Sequence, residues 1–168
     1  AKSTPMILTD VENDIWESNN LVENPEYIKV LNKMRKALDK EMFESRDVHF
    51  LPEYEIGLIS ENETPYEFRL DDKKYPFDEI YAVASLSGKR GAEITKQQIA
   101  HLNSENKIVR YWAILGLRSQ AEQDLYSFKK EIIEAINDVY PPVAVTASAI
   151  AYQNDWNALS EKQLKAFC

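Results

Sequence analysis

The chain has 168 residues, 44% hydrophobic, 29% charged and 11% aromatic, with a formal net charge of −8. That length allows one domain or two small ones around a real core, and the composition is too apolar for a disordered chain. The acidic excess argues against nucleic acid and against an anionic membrane surface, and no apolar run approaches the roughly 20 residues of a membrane-spanning helix.

A single cysteine, Cys168, excludes an internal disulfide framework, and four glycines leave no room for a Gly-rich phosphate loop. No signal peptide is expected in its first residues. The start Ala1-Lys2-Ser3-Thr4-Pro5 has no initiator Met, so the chain is expected to be a trimmed piece of a longer one.

In chain order, Met6-Ile7-Leu8-Thr9 is a short apolar run that predicts an edge strand. The acidic stretch from Asp10 to Asn20 reads as turns. A well-marked helix follows, with Asn24 as N-cap and Pro25 at its first position. Tyr27, Leu31, Met34, Leu38 and Met42 make its apolar stripe, Lys29, Lys33, Lys36 and Lys40 its solvated face, and it should end near Glu44-Ser45. Residues 51–77, with Pro52, Pro65, Pro76 and Gly57, carry no helical period and predict an extended connector whose aromatics Tyr54, Tyr66, Phe68, Tyr75 and Phe77 need cover.

From Asp78 the pattern is a run of helices over 79–87, 96–103, 107–118, 125–136, 142–153 and 161–167. Thr95 with Gln98, and Ser160 with Gln163, stand at capping-box spacing and mark two starts. Within Lys107–Arg118, only Arg110 from Ile108 to Leu117 is polar without an apolar body, so the stretch predicts a central helix with no solvent face. The expected core is Val109, Trp112, Ala113, Leu117, Val143, Ala147 and Ile150.

Leu102-Asn103, Val109, Ala113 and Leu117 recur as Ile136-Asn137, Val143, Ala147 and Ala151, 34 positions later, and Ile80 and Ala84 give a weaker echo 29 positions before Val109 and Ala113. Units of this kind cannot bury their faces alone and stack into a solenoid. The expected fold is therefore mainly α: HEAT-like helix–turn–helix repeats in an α-α superhelix over 78–168. A short strand, acidic turn and long helix over 1–53 and the connector 54–77 precede it. The segment Val109-Arg110-Tyr111-Trp112-Ala113 resembles the second helix of HEAT repeats, which often opens with Val-Arg and continues with Ala.

Residues with catalytic chemistry are sparse. Asp10, Glu12 and Asp14 alternate as in a calcium loop, but Ile15 and Leu21 stand where that scheme needs Gly and a distal Glu. His49 and His101 have no second His or Cys at ligand spacing, and there is no Gly-x-Ser-x-Gly elbow. Asn62-Glu63-Thr64 fits a glycosylation acceptor, which matters only in a secreted eukaryotic protein. No catalytic, cofactor-binding or metal-binding residue is assigned.

Residues 8–53 resemble the carboxyl-terminal end of bacterial sulfatases of the heparan N-sulfatase (N-sulfoglucosamine sulfohydrolase) type. That family closes its catalytic domain with a strand, an acidic D-x-E-x-D-P-x-E-x-x-N-L turn and a long helix ending near T-R-D-x-x-L-L-P-E. Asp10, Glu12, Asp14, Glu17, Asn20 and Leu21 match the turn, with Ile15 where Pro is usual. Arg46, Asp47, Leu51, Pro52 and Glu53 match the ending. Some members continue into helical repeats, including a V-R-Y-W-A helix.

The resemblance implies a parent enzyme that hydrolyses sulfated sugars with a formylglycine, made from Cys or Ser in Cys/Ser-x-Pro-x-Arg, and a calcium ion held by its catalytic domain. It also implies a periplasmic or secreted location. Ser3-Thr4-Pro5 imitates the start of that motif, but Met6-Ile7 follow and the Arg is missing, so no catalytic role carries over. The expected function is thus a non-catalytic C-terminal portion of a sulfatase, with the catalytic domain of the same parent chain as partner. A free-standing HEAT-like interaction scaffold is the alternative. The stripe of the 27–42 helix is expected to fold back on the repeats or to mediate self-association.

Overall fold

A computed structural model describes residues 6–156 of the chain. The expected helix 161–167, its Ser160/Gln163 start, Ser3-Thr4-Pro5 and Cys168 lie outside the described residues. The described residues are all α and 3-10 helix, turn and loop, with no strand among them. The chain divides into two compact units, Ala1–Asp47 and Val48–Cys168.

In the first unit the expected strand is absent. The Leu8 N–H donates to Asn20 Oδ1 at 3.0 Å, its carbonyl accepts from the Leu21 N–H at 2.7 Å, and Asn20 Nδ2 donates to the Met6 carbonyl at 3.1 Å. A side-chain amide therefore supplies what a neighbouring strand would have given, and the backbone closes a loop instead of extending a sheet.

The helix start is where the sequence puts it. Asn24 Oδ1 accepts from the Glu26 N–H at 3.0 Å and opens a 3-10 turn, Pro25–Tyr27, that leads into α1, Ile28–Ser45. Arg46 ends α1 in left-handed geometry, φ 47°. No residue of α1 is buried. Leu8 and Leu21 are the buried hydrophobic residues of this unit among those described.

The second unit holds the core. Its first part corrects the extended connector: Glu53–Ile59 forms α2 and Pro65–Phe68 forms α3. Thr64 caps α3 in a full capping box with Glu67, and Pro65 sits at its first position, so local chemistry starts a helix too short to show a period. Tyr75 and Phe77 are fully buried, whereas Tyr54 and Tyr66 remain exposed.

Then follow α4, Phe77–Ala84; α5, Ala92–Ala100; α6, Lys107–Leu117; α7, Glu122–Leu125; α8, Lys129–Glu134; and α9, Pro141–Gln153. The expected 125–136 helix is thus broken, with 3-10 turns at Tyr126–Phe128 and Ala135–Asn137, and Phe128 leaves helical geometry at φ −117°.

Thr95 does not start a helix. It lies buried inside α5, where its hydroxyl donates to the Gly91 carbonyl at 3.1 Å, and the helix begins after Gly91 at φ 110°. The start of α6 is instead set by Asn106, whose side chain accepts from the N–H groups of Ile108 and Val109.

The interior is built from α4, α6 and α9. Ile80 and Val83, Val109, Ala113, Ile114 and Leu117, and Val143, Ala147, Ile150 and Ala151 are all buried, with Ile132 and Ile136 from the α8 side. Alanines on α9 leave little side chain between backbones, which permits close helix approach. Trp112 departs from the expected core: it is half-buried, because its ring points across to the turn Val48–Phe50 and its Nε1 donates to the Phe50 carbonyl at 2.8 Å.

Candidate functional site

The acidic turn of the first unit uses its carboxylates to shape itself. Asp10 accepts from the N–H groups of Glu12 and Asn13 and from Asn13 Nδ2, the last at 2.9 Å. Asp14 accepts from the Ser18 hydroxyl and, at 2.8 Å, from the Asn19 N–H. The Asn13 side-chain bond and its backbone N–H hold the Asp10 carboxyl below its usual range, and the Asn19 N–H does the same for Asp14. Both are partly exposed, so these bonds define a loop and not a buried charge.

Among the described residues no group of three or more His, Cys, Asp or Glu side chains converges as a metal site would. The turn also exposes Ile15 and Trp16, the latter 84% accessible. His49 is exposed on the turn before α2.

His101 is half-buried and lines a polar cleft of about 720 Å³ together with Asp72, Glu79, Asn103, Ser104 and Glu105. The Ser104 hydroxyl donates to Glu79 there at 3.2 Å. The Ser104–Glu79 contact is the hydroxyl–carboxylate pair seen in it, and among the described residues no second histidine lines the cleft beside His101.

A second groove, about 540 Å³, is lined by Tyr54, Leu58, Lys107, Arg110, Val139 and Tyr140. Its cations are already engaged. Lys107 Nζ is 2.7 Å from Glu55 Oε1, and Arg110 grips Asp138 through two bonds, Nε to Oδ2 at 2.7 Å and Nη2 to Oδ1 at 3.0 Å. Arg110 Nη1 also donates to the carbonyls of Ser104 and Glu105.

Burial pushes the Asp138 carboxyl up, but the Arg110 hydrogen bond, the Tyr140 N–H and the Arg110 charge together carry it below the usual value. Beside this pair, Glu55 Oε2 and the Tyr140 hydroxyl are buried without a well-formed hydrogen bond. Burial and the adjacent Glu55 carboxylate push the Tyr140 phenol far up.

The sequence reading missed these groups. Arg110 was visible as the single cation between Ile108 and Leu117, and a charge in that apolar setting must find a partner. Gln98 read only as a capping partner of Thr95 and Gln120 carried no sequence signal, yet they form a buried amide pair at 3.0 Å.

Comparison with protein-family models, with curated proteins and with solved structures returns no match. No helix of the described residues is long and apolar enough to cross a membrane.

Proposed function

We propose that this chain is a non-catalytic interaction region built on HEAT-like helical repeats, the carboxyl-terminal portion of a sulfatase of the N-sulfoglucosamine sulfohydrolase type that residues 8–53 resemble. One observation carries the repeat reading, the agreement of two helix pairs in detail 34 positions apart. The 3-10 turns His101–Asn103 and Ala135–Asn137 hold that spacing, as do the starts of α6 at Lys107 and α9 at Pro141. Ser104 Oγ accepts from the Asn106 N–H, and Asp138 Oδ1 accepts from the Tyr140 N–H at the matching place. Val109 and Val143, Ala113 and Ala147, and Leu117 and Ala151 are buried in step.

Chance similarity of two helix pairs would match their apolar stripes, but it would not match the turn chemistry as well. An acidic turn followed by a capped long helix, the order of the resembled family, supports the sulfatase part of the reading.

The test is genetic and enzymatic. The reading frame upstream of Ala1 is expected to encode a domain with Cys/Ser-x-Pro-x-Arg, and the whole product to release sulfate from an N-sulfated glucosamine. A start codon immediately before Ala1 would overturn the sulfatase part and leave a free-standing scaffold. That second reading is favoured by the second unit, which has its own interior.

A further inference from the structure

Among its described residues the first unit buries only Leu8 and Leu21. No residue of its 18-residue helix is buried, while Ile28, Val30, Met34 and Leu38 stand about half exposed or more, and Ile7, Val11, Ile15 and Trp16 are exposed on the turn side. Helices in proteins owe most of their stability to a packed face, so such a unit is completed by something that covers it.

The charge pattern says what that is. Residues 10–17 carry Asp10, Glu12, Asp14 and Glu17 with no cation, whereas residues 29–36 carry Lys29, Lys33, Arg35 and Lys36 with no acid. None of these four cations makes an ion pair among the described residues. Lys29, in the first turn of α1, also runs against the helix dipole, whose positive end lies at the amino terminus. The unit thus carries an acidic surface with exposed Ile15 and Trp16, and a basic surface with an exposed apolar stripe.

From this we propose that the first unit is a self-association surface: in a twofold pair, the acidic turn of each copy lies on the amino-terminal half of α1 of the other. A surface whose two parts complement each other is what an isologous interface requires, since each contact then occurs twice. Trp16, on one side, and the Leu31–Met34–Leu38 face, on the other, supply the apolar centre, with the charges as its rim. The proposal rests on the reading of the chain as an interaction region, but not on its sulfatase part.

The experiment uses the 168-residue chain in sedimentation and light scattering. Wild type is expected to form a dimer that weakens as salt is raised. Two charge-reversed variants, Lys33→Glu with Lys36→Glu and Glu12→Lys with Glu17→Lys, should each lose the dimer. Each cancels the net charge of one part of its own interface and leaves the charge of the other part without its counterpart.

Mixed together, the two variants should form a heterodimer, because each then presents the charge that the other lacks. Circular dichroism of each variant checks that helix content is kept. A wild type that stays monomeric at its highest soluble concentration would overturn the proposal and assign the face to a different partner. A dimer that ignores both reversals, or variants that fail to combine on mixing while remaining folded, would also overturn it. Neither result bears on sulfate release by the longer gene product, so the two readings fail separately.

Discussion

Gln120 Nε2 donates to Gln98 Oε1 at 3.0 Å in the interior between α5 and the end of α6. Both amides are otherwise committed. Gln98 Nε2 donates to the Leu86 carbonyl, Gln120 Nε2 also donates to the Lys89 carbonyl, and Gln120 Oε1 accepts from the Gly91 N–H. Two side chains thereby hold the loop between α4 and α5, a segment with no regular pairing of its own.

Gly116 makes room for that arrangement. A Cβ at this position would collide with Gln98 Nε2, and the amide cannot withdraw without breaking its bond to Leu86. Gly116→Ala is expected to cost about 1–3 kcal/mol despite its better helix propensity. Denaturant melts of Gly116→Ala, with and without Gln98→Ala, check this. Equal losses in both backgrounds would mean that Gln98 is not the obstacle.

The Arg110–Asp138 pair is mostly buried, with side chains 13% and 11% exposed. Asp138→Asn leaves a guanidinium without its counter-charge and should destabilise by about 3 kcal/mol. The carboxyl is held below its ordinary value of 3.8, so its stabilising contribution is present above that value and is lost as pH falls through the lower folded one. Acid unfolding of wild type followed by circular dichroism should therefore steepen below about pH 4, and the Asn variant should lack that component.

Trp112 joins Phe50, at a ring separation of 5.8 Å, and Phe50 in turn meets Phe77 and Tyr81, both at 5.5 Å. Trp112→Phe keeps most of this contact and loses the bond to the Phe50 carbonyl, a loss of about 1 kcal/mol. Trp112→Ala should cost about 3 kcal/mol, the low end for a large-to-small change because the ring is half exposed. Equal effects of the two variants in urea melts would assign the stability to the hydrogen bond alone.

The Tyr140 phenol resists ionisation because it is buried and faces the Glu55 carboxylate. With its folded value raised, the unfolded chain releases this proton near pH 10 while the folded chain keeps it, so stability declines as pH rises from there. Ultraviolet titration should show one tyrosine that ionises only on unfolding, and Tyr140→Phe should remove it. The same variant removes a poorly satisfied donor and should change stability by less than about 1 kcal/mol.

Much of the helical layout was legible, because caps and periods are local. Asn24-Pro25 fixed the start of α1, and the alternation of Val109, Ala113 and Leu117 located the core face of α6. What failed depended on partners far along the chain or on elements too short to repeat. Met6–Thr9 has strand-like residues, but Asn20 and Leu21 took its backbone bonds. Thr95 and Gln98 have capping-box spacing, yet both are buried, and Gln98 is held by Leu86 and Gln120. The two short helices within 53–68 fall below the length at which periodicity can be read. No catalytic constellation was legible, and in the clefts around His101 and Tyr140 Ser104, Lys107 and Arg110 are already bonded within the fold.

Arg110 reaches from α6 to the turn before its own helix, through Ser104 and Glu105, and to the turn before α9, through Asp138. One guanidinium therefore fastens two successive turns on the same edge of the molecule. Fraying of either helix start must first release the other, so amide exchange at Ile108 and Val109 should keep pace with exchange at Tyr140. In mechanical terms this guanidinium acts as a pin through two neighbouring helix starts.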